Sequence, residues 1–216
     1  MLRDRWFNTY RKDFEPLTRE LFEIYGMMPT PGDSHLCEYL PWVSDPITQP
    51  WEKYNLKLQS WKGNRRRRAE RLSTAEAMAS GKMDIDELRV AASEGIIEVI
   101  EGITFDDNFY HHQVNIPNHG AIPNLPDDAI VEVPGLISGY GITGLAMPPL
   151  PTGVAELCRR ELAYDSAVID ACYQGNKAMA LQALLLDPMI TDIDRARYIL
   201  KDFLNEFAPY LPQFKP

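Results

Sequence analysis

Residues 113–134, QVNIPNHGAIPNLPDDAIVEVP, restrict this chain more than any other stretch. Two β-type segments flank a connection dense in turn formers and carboxamides. The flanks carry β-branched residues, Val114 and Ile116 on one side and Ile130, Val131 and Val133 on the other, as strands of a half-buried sheet do. Between them Pro117, Pro123 and Pro126 fix φ, and Gly120 gives access to positive φ. Asn118, Asn124, Asp127 and Asp128 are side chains that bond nearby backbone in turns. Such a segment is either an ordinary strand connection or a loop held rigid for chemistry.

Size and composition bound the rest. A chain of 216 residues buries about 70% of its unfolded surface, enough for a sizeable core without staples. One domain over residues 1–216 is the expectation. Hydrophobic content of 45% and charged content of 25% are globular averages, and no apolar run reaches the roughly 18–20 residues of a membrane-spanning helix. The opening run, MLRDRWFNTYRKDF, is basic but has neither an apolar core nor a small-residue cleavage site, so a cytoplasmic location is expected. Three cysteines without a C-x-x-C pair fit a reducing compartment, with Cys158 and Cys172 expected to be packing residues. The net charge of −9 opposes nonspecific nucleic-acid binding. One local exception is the basic run Arg65 to Arg68 with Lys62 and Arg71. It reads as a solvated helix face, with phosphate binding the competing reading.

Periodicity predicts a helix over 15–25 closed by Gly26, then an ordered loop over 27–50 holding Tyr39 and Trp42. A polar helix is expected over 51–72, interrupted near Gly63 and Asn64, with Ser73 or Thr74 capping the next. A helix over 93–103 leads to a strand over 109–116. The last third reads as helical: Thr152 caps a helix ending at Gly175, Asn176 caps residues 177–186, and Thr191 or Asp192 starts a helix to about Phe207.

A formal G-x-G-x-x-G occurs at Gly139, Gly141 and Gly144. A dinucleotide fingerprint needs a helix starting at that turn and an acidic residue about 20 positions on, at a strand end. Here LAMPPLP follows, which cannot continue as that helix, and Glu161 falls inside a predicted helix. These glycines therefore read as a surface hairpin or loop.

Residues 113–134 resemble a signature of the NAD- and metal-dependent glycosidases of glycoside hydrolase family 4. KAMALQALLLDP at 177–188 and YLPQF at 210–214 look like that family's last helices, and YGMMPTPGDSHLCEYLPW at 25–42 is similar to its stretch around a proposed proton-abstracting residue. The form is that of its alpha-galactosidase and alpha-galacturonidase-like branch. The resemblance covers nearly the whole chain but about half of the family's usual length. It implies an α+β fold like the C-terminal domain of lactate and malate dehydrogenases, with a mostly antiparallel sheet and long helices. The family binds NAD on an N-terminal Rossmann domain and a divalent metal, manganese, through a Cys and a His that precede the region matched by Met1. The expectation is that this Rossmann domain is absent here, with no cofactor-binding or metal residues in the chain. It would then be a C-terminal domain, a truncated product or half of a split enzyme.

The resemblance assigns proton abstraction to Asp33, where a general base must lie within hydrogen-bond reach of its proton. The competing reading is a turn-forming Asp after Pro-Gly. His35 and Tyr39, with Glu38 weaker, are candidate substrate contacts, although His35 also suits a helix cap. Cys37, His35, His111 and His112 have no structural zinc spacing. Asn115, Asn118 and Asn124 are candidates for sugar hydroxyls, or equally for their own loop's backbone. By resemblance the reaction is hydrolysis of an O-glycosyl bond through oxidation, elimination, addition and reduction, outside the two-carboxylate scheme. The rival is a non-catalytic remnant or association subunit. Expected partners are a sugar, a further copy of the chain or a Rossmann-domain chain, with no nucleic acid and no membrane. The lack of a recognisable phosphate-binding cluster favours a non-phosphorylated sugar.

Overall fold

The computed structural model describes residues 14–57, 60–86 and 95–214. Its fold is α+β, as expected, and divides into two compact units. The first comprises Met1–Lys57, Pro123–Ala129 and Pro148–Pro216, the second Leu58–Ile122 and Ile130–Met147. The amino-terminal run read for a leader lies, apart from Phe14, outside the described residues.

In the first unit, α1 (Pro16–Tyr25) follows from Leu17 and Leu21 repeating one turn apart, with Pro16 in its first turn. Gly26, at φ 68°, closes it as predicted, its N–H donating to the Phe22 carbonyl. The expected loop that follows contains a single helical turn, α2 (Asp33–Leu36), and two 3₁₀ turns, Cys37–Tyr39 and Pro50–Tyr54. These turns point Leu36, Leu40, Val43 and Trp51 inward onto Leu17 and Leu21, and the six form the buried core. Leu17 is 1% exposed, so its truncation to Ala removes about 2–5 kcal/mol.

Three long helices complete this unit: α5 (Thr152–Gln174), α6 (Lys177–Leu186) and α7 (Ile193–Glu206). Their buried positions are Ala155, Ala171, Ala183 and Ala196, small enough for helices to approach closely where α5 meets α6 and α6 meets α7. Asn176 caps α6 by accepting from Ala178 and Met179, and Asp192 caps α7 by accepting from Arg195. Thr152 is not the cap of α5. The Pro151 carbonyl accepts the first turn's bonds from Val154 and Ala155, which makes Thr152 the first helical residue. Cys158 is partly buried, but Cys172 is exposed and does not pack as expected.

The second unit holds α3 (Trp61–Ala79), α4 (Ile96–Phe105) and a three-stranded antiparallel sheet, β1 (Phe109–Pro117), β2 (Ile130–Ser138) and β3 (Gly141–Gly144), in the order β1-β2-β3. The predicted break near Gly63 and Asn64 does not occur. Ser60 caps α3 by accepting from Gly63, and the helix runs on through Ser73 and Thr74. Thr74 satisfies its hydroxyl on the Glu70 carbonyl one turn back, so it does not compete for a new N-terminus. For α4, the predicted start at Ser93 lies outside the described residues. Along β2, Val131, Val133, Gly135 and Ile137 are buried and alternate with exposed Ile130, Glu132 and Leu136, the period of a half-buried strand. On β1 the register slips between His111, opposite Gly135, and Val114, opposite Val133. That bulge places Val114 on the buried face. Gly102 of α4 lies against Phe109 and Ile137, where a Cβ would meet Ile137 at 2.9 Å.

Among the described residues no helix is long and apolar enough to cross a membrane. Gly175 has φ 64°, and a Cβ there would strike the Gln213 carbonyl. Gly175→Ala is therefore expected to cost about 2–4 kcal/mol, read as a lower urea midpoint at unchanged slope.

Candidate functional site

Asp33 opens α2 after Pro31-Gly32, where the extended Gly32 (ψ 158°) takes the N-cap position. Its side chain does not face solvent. Asp33 is 3% exposed, and its two carboxylate oxygens accept the N–H groups of Leu17 and Thr18, each at 2.7 Å. Those are orphan donors of the first turn of α1, whose own N-cap residue, Glu15, sits at φ 46° and provides no side-chain cap. Glu15 instead accepts the Asp33 N–H at 2.5 Å. The pair is a capping box built from two segments. One carboxylate holds α1, the other holds α2.

His35 and Tyr39 lie on the same run. Tyr39 is 47% exposed, and His35 Nδ1 is 3.8 Å from Glu38 across an exposed turn. Cys37 donates to the Ser34 carbonyl, and burial pushes its thiol above the ordinary range.

A cleft of about 330 Å³ near α1 was not read from the sequence. It is lined by Leu17, Leu21, Ile24, Tyr25, Trp42 and Val43, with Glu20 and Tyr54 as its polar groups. Lys53 Nζ reaches both Glu20 oxygens at 2.9 and 3.1 Å, and the Tyr54 hydroxyl donates to Glu20 at 3.0 Å. The Lys53 hydrogen bond holds the Glu20 carboxyl below its usual value, while burial raises the Tyr54 phenol. The only sequence signal was the placement of aromatics within a turn-rich stretch.

The carboxamides divide. Asn115 is exposed on β1 opposite Glu132. Asn118 is 1% exposed: its Oδ1 accepts the Ile122 N–H at 2.6 Å and its Nδ2 donates to the Ile122 carbonyl at 3.0 Å. Asn124 pairs with Leu150 in the same two-bond manner, both at 2.9 Å. Both side chains imitate a strand partner for the loop backbone. A shallow cleft of about 420 Å³ adjoins Asn118, lined by Pro117, His119, Gly120, Thr143, Gly144 and Ala146 among others. Asp33, His35 and Tyr39 belong to the first unit, Asn115 and Asn118 to the second.

Gly139 to Gly144 forms the β2–β3 hairpin and its second strand, with Gly139 donating to Asp106. No helix begins at this turn, so the glycines do not fit a pyrophosphate. Among the described residues no three His, Cys, Asp or Glu side chains gather as metal ligands. His111 Nδ1 lies 2.8 Å from the Gln113 carbonyl, and the His112 ring packs edge-on against Tyr110.

The described residues combine a small antiparallel sheet with long helices, and Asn118 and Asn124 hold the backbone of the loop between β1 and β2. The chain belongs to the family 4 glycosyl hydrolases: residues 1–190 match the Family 4 glycosyl hydrolase C-terminal domain. It is 27% identical over 216 residues to an alpha-galacturonidase of Thermoanaerobacterium saccharolyticum, covering 98% of this chain and 45% of the relative. A crystal structure from Bacillus subtilis, of a protein assigned as the glucosidase lplD, superposes with a TM-score of 0.75 at 30% identity, covering 87% of this chain and 42% of that one. A 6-phospho-alpha-glucosidase from gut microorganisms, solved with NAD and glucose-6-phosphate, gives a TM-score of 0.58 at 28% identity over 65% of this chain and 32% of that one. The chain thus spans less than half the length of each of these relatives. The expected family and fold are borne out.

Two outcomes follow from this geometry. Asn118→Ala leaves the Ile122 N–H and carbonyl without their side-chain partner and is expected to cost about 2–3 kcal/mol by chemical denaturation. Burial raises the Glu161 carboxyl above its ordinary 4.5, with Arg160 opposing and Asp165 and Asp187 adding to the rise. A raised folded-state value means its ionisation disfavours folding, so stability falls as pH climbs from 4.5 through the folded value. Glu161→Gln should raise the melting temperature at neutral pH, an advantage that vanishes below about pH 4.

Proposed function

We propose that this chain is the substrate-side domain of an NAD- and manganese-dependent glycosidase acting on an alpha-galacturonide or alpha-galactoside. In this reading residues 1–216 act as one domain. The observation that carries it is the 27% identity to an alpha-galacturonidase along 98% of the chain. NAD and the metal would supply oxidation and Lewis-acid chemistry from residues outside those described here. What this chain contributes is a shaped wall and one proton acceptor. In this reading the hydroxyl or carboxylate groups of the sugar meet His35 and Tyr39, exposed in the first unit, or Asn115, exposed on β1 of the second, while Asn118 fixes the loop beside its cleft. Asp33 is the proposed base. Each of its oxygens keeps a second lone pair beyond the one bonded to α1.

The alternative is a non-catalytic association subunit, favoured by one observation: α4 exposes Ile96, Ile97 and Ile100 within its first two turns. A cytoplasmic setting and a Rossmann-domain partner chain suit either reading.

Assays with aryl galactosides and galacturonides, in NAD, Mn²⁺ and reductant, distinguish the two. The chain alone is expected to be silent, and a separately expressed dinucleotide-binding domain from a family relative should restore product release. Turnover by the chain alone contradicts the need for a partner, and silence of the pair supports the association subunit. In the active pair, Asp33→Asn should abolish turnover beyond its loss of folded protein. Turnover that tracks the folded fraction makes Asp33 a positioning residue.

A further inference from the structure

The cleft beside α1 joins an aliphatic floor to a single polar edge. Leu17, Leu21 and Ile24 recur at the spacing of one helical face, and the step from Leu17 to Ile24 spans about 10 Å of helix. Leu17, Leu21 and Val43 are 1%, 6% and 4% exposed, whereas Trp42 keeps 49%. Tyr25 is set from behind: its ring lies against Gly153 of α5, where a Cβ would meet Tyr25 Cε1 at 2.9 Å. Tyr25, Trp42 and Tyr54 thus form aromatic walls above the floor.

The polar edge is largely satisfied within itself, and what stays open is specific. An ammonium group has three donors. Lys53 directs two contacts at the Glu20 oxygens, at 2.9 and 3.1 Å, and a third at the Tyr54 hydroxyl oxygen, at 3.3 Å, while lying 4.9 Å over the Tyr54 ring. Glu20 then accepts two bonds from Lys53 and one from Tyr54, against the roughly four a carboxylate can take. The Tyr54 oxygen accepts one of its two. One acceptor position stays open on Glu20 and one on Tyr54, with no uncommitted cation among the described residues lining the cleft. The Lys53 hydrogen bond holds Glu20 below the usual carboxylate range, which keeps it an acceptor at neutral pH.

We propose that this cleft binds a neutral hexose ring. A pyranose carries an apolar face of C–H groups, which suits Trp42 and the aliphatic floor, and hydroxyl donors on its rim, which suit the two open acceptors. A uronate is the poorer ligand, because its carboxylate meets Glu20 and finds Lys53 already neutralised. An aryl ring satisfies the walls but leaves both acceptors unmet. Leu17, whose N–H Asp33 accepts, floors the cleft, so the ring lies beside the turn that Asp33 anchors. Binding at this position requires neither a dinucleotide nor a partner chain, and so stands apart from the turnover proposed above.

NMR titration of the full chain with methyl alpha-galactoside and, separately, with galacturonate tests this. The galactoside is expected to produce saturable shifts at the Trp42 indole and at the Leu21 and Ile24 amides, with galacturonate binding roughly tenfold more weakly. Trp42→Ala should weaken the galactoside roughly tenfold. Glu20→Gln removes the charged acceptor and releases Lys53, so the galactoside should bind roughly tenfold more weakly while galacturonate gains affinity. Loss of structure cannot produce that inversion. Absence of galactoside-induced shifts at Trp42, galacturonate binding the wild-type chain as tightly as the galactoside, or both sugars weakened together by Glu20→Gln would overturn the proposal. Turnover is not read in this titration, so silence of the chain with a dinucleotide-binding partner bears only on the reaction.

Discussion

The carboxylate of Asp33 on the amides of Leu17 and Thr18 is the contact on which the first unit rests. α1 begins at a residue with left-handed backbone and no cap of its own, so its first donors would be unpaired without a group from elsewhere. Leu17, whose amide Asp33 holds, is also among the most buried side chains of the molecule. Polar anchoring and core packing therefore meet in one residue. Glu15 returns the favour at the Asp33 amide, which fixes the turn presenting His35 and Tyr39.

The same economy recurs in the loop over 117–129. Asn118 and Asn124 each make a two-point bond to a backbone peptide, at Ile122 and at Leu150. In a chain matched to a glycosidase family, such carboxamides invite assignment to sugar hydroxyls. Here they first replace the strand partner that the loop lacks, and prolines reduce the number of amides needing one. What the loop itself leaves exposed beside its cleft is His119, while Asn115 is exposed on β1.

Most of this was legible in local sequence because its physics is local. Gly26, Gly175, Asn176 and Asp192 mark helix ends through backbone freedom or a side chain one turn away, and all four act as read. The strands over 109–116 and 130–133 were visible in β-branched residues. What escaped depends on distant partners. The bulge between His111 and Val114 is set by which residues of β2 lie opposite, and the Glu15–Asp33 exchange spans 18 positions. α3 differs from the expectation for the opposite reason: Gly63 and Asn64 signal a break, but Ser60 upstream already supplies the cap, and none of the helix's residues is buried. For the site, Asp33 was found but its orientation was not, and the Glu20, Lys53 and Tyr54 group went unseen because its members lie 33 and 34 positions apart.

Asp33, Asn118 and Asn124 are backbone anchors of this chain. Amide hydrogen exchange resolved to single residues tests this directly. The N–H groups of Leu17, Thr18, Ile122 and Leu150, each of which donates to a side-chain oxygen, are expected to exchange as slowly as helix interiors. Exchange of these four at rates typical of exposed loops would contradict it.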